Sequence, residues 1–416
     1  MKNGIVVTSG RKVRTGNLSV SGSKIAASKG GPQFNLGEKS FVYPSLINTH
    51  DHLQGNYRPA VGPKPGNFYL TWLPWDNDLK ASDTFKERSN LTREELYALS
   101  GYKCLFSGVT TVNDHFPQKL NSGILPTLPV RAFLEYGLNH EATSYDLNWG
   151  DGLEIEHQRA ADNDWPFITH LAEGFEDEAM DSVDRLERLK ILDEFCLFVH
   201  CIGFSDRDIE KIAKAGASVS WCAFSNMFMF NVTCKIRKMI QAGVNVTIGT
   251  DSSATGSANL LAEIKFGREL YRKLYGEDLA AEQIFKMVTI NAAKAFRMQD
   301  RIGSLEKGKL ADILVLKGKE NDPYENLVHA GMEDIELLCL AGKPIYGEKR
   351  FIDLLGGTLP AGYTEITVDT RPMFVSGDPA GLYINCRKKI GFKKLLDYLP
   401  FEPEPGSPAF EHKPKD

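Results

Sequence analysis

Short apolar runs alternate with longer amphipathic stretches along most of the chain, and this alternation predicts the architecture. Between the later runs lie helical patterns such as 182–195 and 206–216. Strands that are apolar throughout and separated by amphipathic helices predict a parallel sheet covered by helices. The runs after the first strand are GVTTVND (108–114), VRAFLEYG (130–137), FITHL (167–171), CLFVHCI (196–202), ASVSWCA (217–223) and VNVTIGTD (244–251).

The two ends of the chain have a different pattern, of short strands and turns without helical periodicity. We therefore expect residues 1–43 and 305–355 to form one composite β-domain beside a barrel at 44–304. Residues 356–416 are rich in Pro and Gly, which predicts an extension that wraps the surface and is disordered at its end. Before the FITHL run the only candidate for a fourth strand is SYDLNW (144–149), a poor one, so we expect an irregular barrel there.

Composition narrows the class of protein. The 416 residues carry a net charge of -5, which argues against a nucleic-acid partner, since such proteins usually present a basic face. No apolar run approaches the roughly 20 residues that cross a bilayer. The seven cysteines are scattered without a C-x-x-C pair, which is typical of reduced thiols. We expect a cytoplasmic enzyme with a small-molecule substrate and no membrane partner, assembled as a homo-oligomer, most simply a dimer.

Polar side chains with metal-binding chemistry stand where the apolar runs end. His50 and His52 follow FVYPSLI, His170 and His200 each end a run, and Asp251 closes VNVTIGT. The carboxyl ends of barrel strands form one active face, so these five side chains should converge. Three imidazoles and a carboxylate with an open position suit a catalytic zinc or iron.

Two further residues of this group have candidate proton chemistry. Glu173 lies three residues after His170, close enough to accept a proton from a metal-activated water and deliver it to a leaving group. Alone it would be interpreted as a surface Glu at a helix N-terminus. His200 either binds the metal or polarises the substrate, and a hydrogen-bonded core histidine is the structural alternative.

The motifs together resemble the metal-dependent amidohydrolase superfamily, in its cytosine deaminase and chlorohydrolase-like branch, over roughly residues 1–350. The resemblance implies an α/β fold, a (β/α)₈ TIM-like barrel with a small composite β-sandwich. It also implies one divalent metal held by His50, His52, His170 and Asp251, with Zn²⁺ expected and Fe²⁺ or Mn²⁺ as alternatives. The motifs are PSLINTHDHL, SGVTTVND, THLAEG, HCIGFSD, WCAFSN, GTDSSATGSANLLAEI, TINAAKAF and GSLEKGKLADILVL.

By the same resemblance Glu173 is the proton shuttle, His200 directs the attacked carbon, and Asp251 both binds metal and deprotonates the water. The implied reaction is hydrolytic deamination of an aminated heterocycle, such as a purine, pyrimidine or pterin, by a metal-bound hydroxide. Hydrolysis of another C–N bond or of a C–Cl bond stays open as an alternative, as does a non-catalytic binding relative. Four residues near the expected mouth are candidates for substrate contacts: Gln54, Trp75, His115 and Asn226.

Overall fold

The computed structural model describes residues 4–7, 13–27, 35–36 and 39–401, and every structural statement below concerns these residues. The predicted disorder at the end of the extension falls on residues 402–416, outside the described part.

Strands from both ends of the chain form one sheet beside the barrel. Its order is β17-β18-β16-β15-β14-β5-β1-β2, and a separate hairpin pairs β3 with β4. One face of the sheet packs on an apolar cluster that includes Ile25, Leu337 and Phe351. The first five strands are β1 (Gly4–Val7), β2 (Val13–Gly16), β3 (Ser19–Ser21), β4 (Lys24–Ala26) and β5 (Ser40–Pro44). The last five are β14 (Ile313–Lys317), β15 (Ile335–Leu340), β16 (Lys343–Glu348), β17 (Tyr363–Val368) and β18 (Arg371–Ser376).

The position of β17 and β18 extends this sheet beyond the boundary at residue 355 that the sequence predicts. Both strands lie in the predicted extension, and β18 pairs antiparallel with β16. The chain then forms a helix and a final segment whose Leu396, Tyr398 and Phe401 join the main apolar core. Burial of these side chains attaches the described part of the extension to the body of the protein.

The middle of the chain forms the α/β barrel. Its eight strands run parallel, in one sheet of three (β6-β7-β8) and one of five (β9 to β13). The barrel strands are β6 (Leu46–Asp51), β7 (Val109–Asp114), β8 (Arg131–Ala132), β9 (Gly137–Glu141), β10 (Phe167–Leu171), β11 (Cys196–His200), β12 (Ser218–Trp221) and β13 (Asn245–Ile248).

Helices cover the barrel and the extension carries the last one. They are α1 (Trp72–Ala81), α2 (Asp83–Arg88), α3 (Arg93–Leu105), α4 (Gln118–Asn121), α5 (Leu153–Asn163), α6 (Asp177–Met180), α7 (Ser182–Leu189), α8 (Asp206–Ala215), α9 (Ala223–Phe230), α10 (Ile236–Gln241), α11 (Leu260–Tyr275), α12 (Ala281–Met287), α13 (Ile290–Ala295), α14 (Pro323–His329) and α15 (Pro379–Ile390).

The irregular side of the barrel is where the sequence predicts it, but the fourth strand is a different segment. Strand β9 follows β8 after residues 133–136, with no helix between them in the described chain. The candidate SYDLNW (144–149) contains no strand and belongs to the loop after β9. Strand 4 is therefore β9 and not the poor candidate at 144–149, because the chain forms no helix between β8 and β9 and strand 4 follows close behind its predecessor.

The last barrel strand closes against the first at Gly249. A side chain there would lie 2.9 Å from the backbone nitrogen of His50 and 2.6 Å from Ser220 Oγ, so only glycine allows this approach. The amides of Thr250 and Asp251 both donate to the carbonyl oxygen of His50, at 3.0 and 3.1 Å. The end of β13 is thereby held directly beside the His-x-His segment of β6.

Candidate active site

The structure brings together the strand-end residues that the sequence singled out. His52 Nε2 lies 3.8 Å and His50 Nε2 4.0 Å from Asp251 Oδ1. The ring of His50 lies 5.0 Å from that of His170, centroid to centroid, and His170 lies 5.4 Å from His200. Ligand atoms of His50, His52 and Asp251 fall within 4.8 Å of one another, as do those of His50, His170 and His200.

Hydrogen bonds to Nδ1 fix the orientation of three of these rings. His52 Nδ1 donates to the carbonyl oxygen of His115 at 2.7 Å, and His170 Nδ1 donates to that of His140 at 2.6 Å. His200 Nδ1 donates to Asn226 Oδ1 at 2.8 Å. An acceptor at Nδ1 places the ring proton there and leaves Nε2 with a free lone pair, the arrangement that metal-binding histidines usually show.

His50 supplies the observation that tests a metal at this place. It is fully buried, and neither ring nitrogen has a hydrogen-bond partner among the described residues. Burial, together with neighbouring His52 and His115, lowers its pKa well below the ordinary value, so the ring is neutral. Leaving such a ring unpaired is costly unless a ligand completes it. The donor set of imidazoles and one carboxylate fits a single divalent metal ion.

Asp251 is held as a carboxylate at the end of β13. Ser225 Oγ donates to its Oδ2 at 2.6 Å and Thr255 Oγ1 at 2.8 Å. Burial raises the pKa of Asp251, but electrostatic interactions with His52 and His200 and the hydrogen bonds from Ser225 and the Ser252 amide outweigh it, so the net pKa is lowered. Its φ of 57° and that of His200, 66°, are left-handed, a strained conformation that non-glycine residues keep mainly at functional sites.

Glu173 and His200 face each other over the same site. Glu173 Oε1 lies 3.5 Å from His200 Nε2, and both side chains are buried. Burial raises the pKa of Glu173 well above its ordinary value, and nearby Glu141 and Asp251 add to the effect. Burial also lowers the pKa of His200. A protonated carboxylic acid beside a neutral imidazole can exchange protons with a bound substrate.

These groups open into a cavity of about 160 Å³ that is lined by both aromatic and polar side chains. Of the predicted substrate contacts, Gln54 and Trp75 line it. The indole nitrogen of Trp75 donates a hydrogen bond to the carbonyl oxygen of Val61 at 2.9 Å, so Trp75 presents only its apolar ring to the cavity.

The other two predicted substrate contacts do not line the cavity. His115 is fully buried behind the metal-site histidines, its ring 4.4 Å from that of His170. Asn226 is also fully buried, bonded through its amide group to His200 and to Thr233 Oγ1. The structure thus places both residues where they orient the histidines rather than where they would contact a substrate.

Two aromatic cavity residues, His140 and Trp149, do not follow from the sequence pattern, and both contact or lie near Trp72 of the first aromatic loop. His140 lies on β9, the strand that the sequence does not reveal, and its ring is 4.5 Å from Trp149 and 4.7 Å from Trp72. Trp72 Nε1 donates to Glu141 Oε2 at 2.7 Å. The sequence signal for His140 is the segment GLNHE (137–141), an apolar start followed by polar residues. This segment is too short to be recognised as a strand from its pattern.

A buried ion pair that the sequence pattern does not predict lies beneath the metal-site residues. Lys103 Nζ, on α3, contacts Asp51 Oδ2 at 2.9 Å, Asn56 Oδ1 at 2.7 Å and the carbonyl oxygen of Asp251 at 3.2 Å. Asp51 points away from the cavity, and Thr250 Oγ1 donates to it at 3.1 Å. One ammonium group therefore joins the end of β6 to the end of β13.

Comparison with known proteins gives the family of this fold and site. A sequence profile described as the Amidohydrolase family matches residues 158–344. A 5-methylthioadenosine/S-adenosylhomocysteine deaminase of Thermoanaerobacter pseudethanolicus is 30% identical over 367 residues, which cover 74% of this chain and 82% of that protein. A 5'-deoxyadenosine deaminase of Methanopyrus kandleri is 26% identical, over 77% of this chain and 84% of its own.

Solved structures show the same fold. Atrazine chlorohydrolase from Arthrobacter aurescens TC1, crystallised with zinc, superposes with a TM-score of 0.66 at 19% identity, over 83% of this chain and 94% of its own. The chain belongs to the amidohydrolase family. It is a hydrolase of carbon–nitrogen bonds other than peptide bonds, a hydrolytic deaminase of an aminated heterocycle. No helix in the described ranges is long and apolar enough to cross a membrane.

Proposed function

We propose that His50, His52, His170 and Asp251 hold one zinc ion, and that Glu173 and His200 carry out the proton chemistry of deamination beside it. The bound metal would supply a water of pKa about 7 and polarise the attacked centre. The observation that carries this assignment is the placement of Glu173, a buried acid with a raised pKa, 3.5 Å from His200 Nε2 and in the same cavity as Asp251.

Glu173 begins the reaction as the acid. Because its pKa is raised, it holds a proton that it can give to the ring nitrogen next to the amino-bearing carbon. The resulting carboxylate takes a proton from the attacking water and passes it to the amino group, which leaves as ammonia. The water's second proton, received through Asp251, restores the acid, and the ring keeps the oxygen as an oxo group.

His200 orients the water in this proposal. With its proton on Nδ1, donated to Asn226, the neutral ring offers only a lone pair at Nε2. That nitrogen can accept a hydrogen bond from the attacking water but cannot donate one to the developing intermediate. The tautomer therefore changes the role that the family resemblance implies, from directing the attacked carbon to orienting the attacking water.

For the substrate we propose a 6-aminopurine base or nucleoside. Both curated relatives above are named as deaminases of adenosine derivatives, which carry this ring. The cavity walls support a flat heterocycle, since Trp72, Trp149 and Phe116 line it and aromatic side chains pack on such rings. Cytoplasmic localisation and a homodimer stay predictions, as does a composite β-domain of residues 1–43 and 305–355 beside a barrel of 44–304, with β17 and β18 extending the sheet of that domain.

An ammonia-release screen of the zinc-loaded protein tests the function. Adenine, adenosine and 5'-deoxyadenosine are compared with cytosine, pterin and 6-chloropurine riboside, and both ammonia and chloride are measured. We expect ammonia in a 1:1 ratio to the oxo product, from aminopurines first. Chloride release without ammonia from any amine would establish the dechlorinating alternative, and turnover of cytosine or pterin alone would overturn the aminopurine assignment.

A further inference from the structure

One arginine in the cavity wall makes no ion pair with any residue that the structure describes, although the negative charge of Asp76 lies near enough to act on it. Arg88, the last residue of α2, lines the same cavity as Glu173 and His200 and is only partly exposed. Its guanidinium stacks on the ring of Phe85, 4.7 Å from the centroid, and it makes no hydrogen bond or ion pair with any residue that the structure describes. Stacking occupies a face of the planar group and leaves its N–H edges free for a ligand.

The neighbouring cations are paired, which makes Arg88 an exception. Arg58 pairs with Asp397 at 3.2 Å, Lys80 with Asp76 at 2.5 Å, and Lys86 with Asp83 at 2.9 Å. Lys86 lies two residues from Arg88 on the same helix but is exposed and does not line the cavity. A cation at a helix C-terminus interacts favourably with the dipole, but this needs no contact with a cavity.

The walls around Arg88 strengthen its attraction for an anion. Trp72, Trp75, Leu79 and Met229 line the cavity, and a charge-assisted hydrogen bond gains strength where water is excluded. Asp76 also lines the cavity, and although Lys80 pairs with it, its carboxylate acts on Arg88 and opposes a dianion more than a monoanion. A carboxylate, with one charge and two oxygens that match the guanidinium fork, suits this environment better than a phosphate.

We propose that Arg88 binds a carboxylate carried by the substrate, so that the preferred substrate is an acidic heterocyclic amine. This rests on the proposed function for the ring and adds the substituent that Arg88 recognises in the same cavity. Removing the guanidinium should weaken binding of the carboxylated compound about 10- to 100-fold and leave its neutral counterpart within about 3-fold, since a charged hydrogen-bond pair is lost.

Pairs of compounds that differ in a carboxylate test the proposal. Adenosine is compared with adenosine 5'-carboxylic acid, 5'-methylthioadenosine with S-adenosylhomocysteine, and pterin with pterin-6-carboxylate, while adenosine 5'-monophosphate serves as the phosphate arm. The Kd of each is measured by calorimetry on zinc-loaded Glu173→Gln protein, which does not consume it, with and without Arg88→Met or Lys86→Met. kcat/KM is measured on the corresponding proteins with Glu173 intact.

We expect at least one carboxylated member to bind 10-fold or more tightly than its neutral partner, an advantage lost in Arg88→Met, partly kept in Arg88→Lys and unchanged in Lys86→Met. Equal binding of the members in every pair, or an advantage that survives Arg88→Met, overturns the proposal. Preference for the monophosphate over every carboxylate overturns the choice of anion. Tighter carboxylate binding without ammonia release from any compound would instead contradict the proposed function and leave the role of Arg88 standing.

Discussion

Replacing Lys103 by Met tests the buried ion pair beneath the site, because Met keeps the length of the side chain and removes the charge. Lys103 and Asp51 are 1% and 0% exposed, and breaking such a pair by removing one partner costs about 3–5 kcal/mol. Asp51 would keep three donors, from Asn48, Asn56 and Thr250, at 3.2, 2.9 and 3.1 Å. We therefore expect the lower end of this range, about 3 kcal/mol in the free energy of unfolding.

Urea unfolding of a double-mutant cycle measures this effect. The cycle combines Lys103→Met with Asp51→Asn, which removes the uncompensated charge, so the double variant should recover about 2 kcal/mol relative to Lys103→Met alone. Zinc content is measured on each folded variant, and we expect it to fall in Lys103→Met, since Lys103 joins the strands that carry His50 and Asp251. A Lys103→Met protein as stable as the wild type, or simple additivity of the two changes, would contradict a stabilising interaction between Lys103 and Asp51.

Three further substitutions test the proton chemistry of Glu173, the orientation of His200 and the burial of Glu263. Glu173→Gln should lower kcat at least about 10³-fold while metal content stays at one equivalent, since the acid is lost and the proposed ligands remain; turnover near the wild-type rate would remove Glu173 from the mechanism. Asn226→Ala should lower kcat about 10- to 100-fold with little change in KM, because the acceptor that fixes the His200 tautomer is lost; an unchanged kcat would argue against it. Burial raises the pKa of Glu263 to about 7, so the folded state binds its proton more tightly, and this contribution to stability is present in acid and is lost as the pH rises from about 4.5 towards 7; Glu263→Gln should flatten that part of the stability–pH curve, and identical curves would contradict the burial effect.

The strand-end residues could be found from sequence because strand patterns place them. His50, His170, His200 and Asp251 each follow an apolar run, and parallel strands of a barrel carry their ends to one face. The identity of the metal ligands thus needs only the order of strands, not their exact contacts. The same reasoning positions Glu173 near His170, since Glu173 is only the third residue after it.

Side chains whose positions depend on tertiary contacts cannot be predicted from strand patterns. Lys103 sits in a helix pattern where a lysine normally faces solvent, and only the approach of Asp51 from another element makes it buried. His140 was missed because β9 follows β8 without a helix, a departure from the alternation on which the prediction depends. His115 and Asn226 were chosen for proximity to the mouth, but proximity along the chain does not tell whether a side chain faces the substrate or the back of a histidine.

Turnover in ¹⁸O-enriched water tests the central claim, hydrolytic deamination at this cluster, most directly. For the aminopurine that the zinc-loaded protein uses best, we expect one ¹⁸O atom in each product molecule, one ammonia released for each, and formation of both by zinc-loaded Glu173→Gln at least about 10³-fold more slowly. Product that contains ¹⁶O at the new carbonyl, or labelled product formed by Glu173→Gln at the wild-type rate, would contradict it.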